Sequence, residues 1–382
     1  MTAQRTGAPT AVPFVDFRSH VAAQRAEIDA AIARVLDSGW FILGPENEAF
    51  ERALARALGA KDAVAVANGT EALQLALMAL GVGPGDEVVT SPMSATFTAL
   101  AVMAVGARPV FAEVDPRTLN VEPEAVARAV TKRTKALLPV HLYGHPADMD
   151  PLLDLSGRTG IPILEDSCQA HGALYKGRPV GTLAGAQGLG ALSFYPTKNL
   201  GALGDGGALL VNDPSCAKAL RRLRNGGQSD RYRHEVPGLN SRLDELQAAI
   251  LGVGLAHLAR FTERRRELSA LYLRELRGVP GLGLPEEQPY ARAVWHLFVV
   301  RHAKRDALAA ALKDKGIGTL IHYPIPLHLQ PALGLLGGKT GDYPVAEKAA
   351  GEILSLPLYP ELSDAQAALV CDAVRESALT LS

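Results

Sequence analysis

Three short stretches carry residues able to do covalent and acid–base chemistry on a small molecule. The first is ALSFYPTKNLGALGDGGALLVN, Ala191 to Asn212, where a single lysine, Lys198, sits at the point an apolar, strand-like run stops. Gly201, Gly204, Gly206 and Gly207 let backbone pass close by, so the amine can meet a bound carbonyl compound and form a Schiff base. A surface lysine in a glycine-rich hairpin has the same local pattern. In the second stretch, IPILEDSCQAHG, Asp166 closes a strand and either faces a ligand or caps the turn that follows. The third, AVAVANGTEALQLALMAL, reads as strand, turn and helix. Thr70 is expected to cap that helix, and Gly69 and Thr70 open its first turn, whose amides make an anion site suited to phosphate.

These residues need a scaffold that brings strand ends together. Short apolar runs at Ala63–Asn68, Glu87–Ser91, Ala107–Val114, Thr134–Tyr143, Ile161–Asp166 and Ala191–Tyr195 alternate with helical patterns, among them Glu122–Val130. That alternation predicts a parallel sheet covered on both faces, with ligands gathered at the carboxyl ends of its strands. Asp166, His141 and the Thr70 turn are all expected there. Upstream, Met1–Pro13 reads as a loose leader, His20–Asp37 as one amphipathic helix, and Gly44-Pro45 as a helix-start turn that could also admit a close neighbour. Downstream, RRLRNGGQSDRYRHEVPG is either a solvated helix face with a polar loop or a diphosphate clamp. Beyond about residue 260 the pattern suggests a second domain. His322, Tyr323 and His328 crowd a proline-bearing segment there, as site residues or as packing.

Composition narrows the partners. The chain has 382 residues, so two domains are the first expectation. Its formal net charge of −1 supplies no global field for nucleic acid or an anionic membrane, and no run of about twenty apolar residues spans a bilayer. Cys168, Cys216 and Cys371 are widely spaced, with no metal-ligand pattern and no disulfide framework. A soluble, cytoplasmic enzyme of small molecules, without a metal, is expected.

An anion-binding turn at Asn68-Gly69-Thr70, an acid after a strand and a lysine between strands give phosphate, pyridine nitrogen and aldehyde one partner each, the constellation that pyridoxal 5'-phosphate requires. NGTEALQLAL, GDEVVTSP, LLPVHLYGHPADMD, EDSCQAHG, SFYPTKNLGALGDGGAL and GLNSRLDELQAA, in that order, resemble the sugar aminotransferases of the DegT/DnrJ/EryC1/StrS family, from about Val12 to about Pro360. The resemblance implies an α/β fold of the aspartate aminotransferase type (fold type I). A large, mostly parallel sheet domain would occupy residues 1–255 and a small α/β domain residues 256–382.

The resemblance also implies roles. Lys198 would carry the cofactor as a Schiff base and move the proton, Asp166 would face the pyridine nitrogen, and Gln169 would lie beside the phenolic oxygen. Gly69, Thr70 and Ser193 would hold the phosphate, and Phe97 would stack on the ring. Asn240 would reach the phosphate in the neighbouring subunit, making the active unit a homodimer with shared sites, while His322 and Tyr323 would lie near the sugar. The implied reaction moves an amino group from L-glutamate, in two half-reactions through the pyridoxamine form, to a keto group on a nucleotide-linked deoxysugar. That sugar is expected to be dTDP-linked and to belong to amino-sugar and antibiotic biosynthesis, with C-3 favoured over C-4. Cyclitol or aromatic-precursor substrates are the alternative within the family. Its sugar dehydratases replace the lysine by histidine, which is not the case at Lys198. A regulatory protein holding the cofactor without turnover is the alternative from another class, yet none of the three groups has been disabled and no helix-turn-helix with a basic face is present. Met93-Ser94-Ala95 departs from the family, whose members have a more polar stretch there.

Overall fold

Apolar runs without polar alternation form strands buried on both faces, and all five residues of Gly207–Val211 are buried. The computed structural model describes residues 11–381. Its central layer uses β1 (Asp62–Val66), β2 (Glu87–Thr90), β3 (Arg108–Phe111), β4 (Thr134–Leu138), β5 (Leu164–Asp166), β6 (Leu189–Ser193) and β7 (Gly207–Val211). A four-stranded piece, β1-β7-β6-β5, and a three-stranded piece, β3-β2-β4, are joined by parallel bridges Leu137↔Ile163 and Val140↔Asp166.

Pairings β5/β6, β2/β4 and β2/β3 are parallel, as the alternation with helices predicts. By contrast, β7 runs antiparallel to both β1 and β6. The reason is the connection. Between β6 and β7 the chain makes the Lys198 loop instead of a crossover helix, so the strand must return in the opposite sense.

Side chains of β1 alternate between two cores. Val64 and Val66 pack with Leu73, Leu77, Val88 and Leu209, while Ala63 and Ala65 pack with Phe50, Leu54, Leu192 and Phe194. Glu245 opens a 31-residue helix, Glu245–Glu275, and its carboxylate accepts from the amides of Gly44, Glu46 and Asn47 at 2.8, 2.9 and 3.0 Å. It thereby closes the amino end of the Pro45–Ala57 helix. At Gly44 a Cβ would lie 2.6 Å from the Trp40 ring, so that glycine serves both the turn and a close neighbour.

The long helix runs unbroken through the expected domain boundary at 255/256. Leu251 and Leu258 pack in the sheet-side core, whereas Leu268 and Tyr272 pack with Phe298, Val300, Leu354 and Val374. This C-terminal core covers an antiparallel sheet containing Phe298–His302 and Ile353–Leu356.

Several local expectations change. The leader reading lies, for residues 1–10, outside the described residues. From Ala11 onward the segment is fixed: Val12 is fully buried, and its N–H and C=O pair with Gly316 and Gly318 at 2.9 and 2.8 Å. The first helical stretch is two helices, Phe17–Ala22 and Arg25–Ser38, separated around a buried Gln24. Asn68, not Thr70, caps the helix Gly69–Ala79, its side chain accepting from the Glu71 amide at 2.9 Å. Asn is the stronger cap at this site because its extended backbone lets the amide oxygen reach the third helical N–H. No described helix is long and apolar enough to cross a membrane.

Candidate active site

The turn after β1 and the ends of β6 and β7 approach so closely that only glycine fits between them. A Cβ on Gly207 would lie 2.4 Å from the Asn68 carbonyl carbon and 2.8 Å from Gly69 N. A Cβ on Gly69 would lie 2.6 Å from Ser193 Cβ and 3.2 Å from Cys168 Sγ. This interlock sets the Ser193 hydroxyl beside the amino end of the Gly69–Ala79 helix. Asn68 takes the Glu71 amide with its side chain and the Ala72 amide with its carbonyl. The Gly69 and Thr70 amides remain as first-turn donors, a cradle of the right size and sign for a phosphate.

Asp166 ends β5 with 4% of its surface exposed. Thr98 Oγ1 donates to its Oδ2 at 2.8 Å, and the Cys168 amide donates to Oδ1 at 3.2 Å. Thr98 is the second residue of the Phe97–Ala104 helix, so the 60%-exposed ring of Phe97 stands at the start of the element that touches Asp166. Gln169, three residues on, accepts from the Tyr143 amide at 2.8 Å and donates to the Tyr323 hydroxyl at 3.1 Å.

Lys198 occupies a compact loop closed by Lys198 N donating to Tyr195 O and Ala202 N donating to Phe194 O, both at 2.8 Å. Its neighbour Asn199 is pinned by Nδ2 donating to Val294 O at 2.9 Å, with Oδ1 3.2 Å from His296 Nδ1. Loss of water lowers the Lys198 pKa from the usual lysine value, against a smaller opposing pull from Cys168 and Asp166. More of the amine is therefore a free base, the form that attacks a carbonyl or takes a proton.

His171, His296 and His322 lie within the field of that amine. Burial first, and the Lys198 charge second, hold His322 at about 4 and His171 at about 3. His296 is held well below its ordinary value by the same two causes. His322 bonds Ser355 Oγ through Nδ1 at 2.9 Å, and the Tyr143 hydroxyl donates to the His322 carbonyl. Among the described residues, then, Lys198, Asp166, Gln169, Gly69, Ser193, His322 and Tyr323 are joined by contacts or mutual electrostatics.

Other expected residues fall elsewhere. Asn240, expected at the neighbouring subunit's site, is exposed and, among the described residues, bridges to Asn225 of its own chain. His141 is fully buried between Glu165 (3.1 Å) and the Ala147 amide (3.0 Å); its backbone stays paired with β5 past Pro139, its N–H donating to Asp166 O at 3.0 Å, but its side chain is spent on these two partners. His328 is spent on Glu347 at 3.0 Å. In the basic stretch, Arg221 and Arg224 pair with Glu51, and Arg222 pairs with Glu235. These three arginines brace the fold; Arg231 and Arg233 remain exposed on the hairpin Gln228–His234. No group of His, Cys, Asp or Glu among the described residues could hold a metal.

Sequence reasoning missed Thr98, Tyr143, His171 and His296 as site neighbours. Tyr143 and His171 stood inside the motifs that carried the resemblance, but Thr98 and His296 had no local signal.

A family model described as the DegT/DnrJ/EryC1/StrS aminotransferase family matches residues 22–375. The chain belongs to this family. Among its relatives, a dTDP-3-amino-3,4,6-trideoxy-alpha-D-glucose transaminase of Streptomyces venezuelae is 52% identical over 365 residues, 96% of each chain. The erythromycin biosynthesis sensory transduction protein EryC1 of Saccharopolyspora erythraea is 51% identical over 352 residues, 92% of this chain and 95% of that one. The crystal structure of S. venezuelae DesV in complex with a ketimine intermediate superposes with a TM-score of 0.94 at 52% identity, covering 96% of this chain and 98% of that chain.

The fold is fold type I, and the family member is a pyridoxal phosphate-dependent aminotransferase. The site fits that cofactor. A cradle that a Cβ would fill lies beside a hydroxyl and free helix amides, a buried carboxylate keeps lone pairs free on both oxygens, and the lysine amine is desolvated.

A pH dependence follows from the buried histidines. His171 titrates near 3 in the fold against an ordinary 6.5, so the unfolded chain binds the extra proton between those values. Stability is full above about 6.5 and falls as the pH drops toward 3, with a slope approaching about 1.4 kcal/mol per pH unit for each such histidine. Chemical denaturation of the cofactor-free protein between pH 7 and 5 is expected to be shallower by about that slope in His171→Met than in wild type. Equal slopes would show that His171 is not buried in its neutral form.

Proposed function

We propose that this enzyme transfers an amino group from L-glutamate to the C-3 keto group of a dTDP-linked deoxysugar in an antibiotic-sugar pathway of the cytoplasm. The observation that carries the reading is the convergence of Lys198, Asp166 and the Gly69 cradle at the ends of β6, β5 and β1 in a chain 52% identical to the S. venezuelae transaminase.

When bound, the cofactor withdraws electrons from the donor's Cα, so that its proton becomes removable. The protein supplies the rest. Ser193 and the amides of Gly69 and Thr70 hold the phosphate. Asp166 holds a proton on the pyridine nitrogen, Gln169 lies beside the phenolic oxygen, and Phe97 covers the ring. Lys198 Nζ would hold the cofactor through its aldehyde carbon and, when freed by the amino donor, would be the base that takes the donor's Cα proton and the acid that returns it. Its desolvation keeps the amine basic without leaving it permanently charged. His322 and Tyr323 face the sugar, their positions set by Tyr143 and Gln169.

The reading includes a homodimer in which Asn240 serves the partner's site. Two features support it. Asn240 is exposed and, among the described residues, has no side-chain partner beyond the backbone bridge to Asn225. Trp40, Phe41, Ile42 and Leu203 form exposed apolar surface around the amino end of the Glu245–Glu275 helix, through the Ile42↔Asp244 bridge and the Leu203 amide donating to Gln247 at 2.9 Å. A residues 1–255 and 256–382 division into cofactor and small domains is retained, with the long helix as their shared strut.

Two experiments test this. Given glutamate and a panel of 3-keto and 4-keto nucleotide sugars, the enzyme is expected to yield the 3-amino dTDP-sugar, identified by mass and NMR. Turnover of a cyclitol ketone alone would overturn the substrate assignment. For the shared site, Lys198→Ala and Asn240→Asp homodimers should each be impaired, the second by like charge against the phosphate. Mixed dimers regain one site that is intact at both positions, so activity should approach about a quarter of wild type when half the dimers are mixed. No rise above the parents, with subunit exchange verified, would place Asn240 outside the partner's site.

A further inference from the structure

Ser94 and Thr98 lie in and just after the stretch where this chain departs from the family pattern, and the roles assigned above leave both unused. Each is 2% exposed. Thr98 Oγ1 donates to Asp166 Oδ2 at 2.8 Å, and Ser94 Oγ lies 2.8 Å from Thr98 Oγ1. An ionised carboxylate only accepts, so the single Thr98 proton is committed to Asp166. Ser94 must then donate to Thr98. The two hydroxyls point one way, toward the carboxylate; Cys168 N–H donates to Oδ1 at 3.2 Å, and the Cys168 thiol also interacts with the Asp166 side chain.

We propose that Ser94 and Thr98 form a hydroxyl relay that positions Asp166 and keeps the proton it shares with the cofactor's ring nitrogen on that nitrogen. The inference rests on the reading that Asp166 faces the nitrogen. One proton has two possible owners, giving either a pyridinium beside a carboxylate or a neutral ring beside a carboxylic acid. Hydrogen bonds donated to the carboxylate favour the charged pair, and at 4% exposure water cannot replace a donor that is removed. Without the relay the proton passes from nitrogen to a carboxylate oxygen, no other reactant being consumed, and the ring withdraws electrons less strongly. Thr98 is thus a positioning residue acting through Asp166. If the hydroxyls only satisfied each other as buried polar groups, their loss would lower folding stability and leave the proton where it is.

The test loads wild type, Thr98→Val, Thr98→Ser, Ser94→Ala and Asp166→Asn with pyridoxal phosphate labelled with nitrogen-15 in the ring. The nitrogen shift at neutral pH, where the pair holds one shared proton, reads how that proton is divided between nitrogen and carboxylate, and folding is followed by near-ultraviolet circular dichroism. Thr98→Val is expected to move that division about tenfold toward the carboxylate, seen as a shift toward neutral pyridine and matching the lower range for a hydrogen bond to a charged group. Thr98→Ser, which keeps the hydroxyl, should match wild type. Ser94→Ala, which removes only the polarising donor, should move the equilibrium about two- to threefold in the same direction. An unchanged nitrogen shift in Thr98→Val, with that of Asp166→Asn clearly moved toward neutral pyridine, overturns the relay and leaves the role of Asp166 standing. An unchanged shift in Asp166→Asn overturns that role itself. Should Thr98→Val fail to fold, Ser94→Ala decides, and a wild-type shift there sinks the proposal.

Discussion

A lysine amine stripped of water beside a buried carboxylate is the constraint on which this site depends. Desolvation disfavours the charge on Lys198, whereas Cys168 and Asp166 pull it back toward the charged form. The surroundings answer with neutral groups. His171, His296 and His322 are kept uncharged by burial, so none competes with the lysine for the positive charge of the crevice. A net positive cluster is avoided without lining the pocket with further acids, and Asp166 remains the single carboxylate among the residues assigned to the cofactor.

Geometry enforces this chemistry through backbone contact as much as through side chains. Gly207 and Gly69 permit a separation that any Cβ would forbid, and this fixes where the phosphate cradle lies relative to Ser193 and the Lys198 loop. The C-terminal part of the chain is stitched to the sheet at the same level. Tyr143 reaches the His322 carbonyl, Gln169 reaches Tyr323, and Asn199 reaches Val294. Residues assigned to the sugar are therefore positioned by bonds to residues assigned to the cofactor, so movement on one side is felt on the other.

What the sequence disclosed follows from range. Lys198, Asp166, Gly69 and Thr70 stood out because a strand end, a turn and a helix start are local patterns, and their order resembled a family. Thr98 bonding Asp166 across 68 residues of sequence, and His296 meeting Asn199 across 97, have no local signature. Strand alternation predicted the parallel pairs but not the reversal of β7, which follows from the absence of a crossover helix between β6 and β7. His141 was placed at the crevice by the strand-end rule, which locates an edge of the sheet but not the direction in which a side chain there points. Arg221 and Arg224 carried no local sign of their partner because Glu51 lies some 170 residues earlier.

The account stands or falls on which amine carries the cofactor, and borohydride reduction of the holoenzyme reads that directly. Peptide mapping by mass spectrometry should find the reduced cofactor on the peptide containing Lys198, with the yellow colour lost in step with labelling. Labelling at the exposed, Asp150-paired Lys176, with Lys198 unmodified, would contradict the site described above.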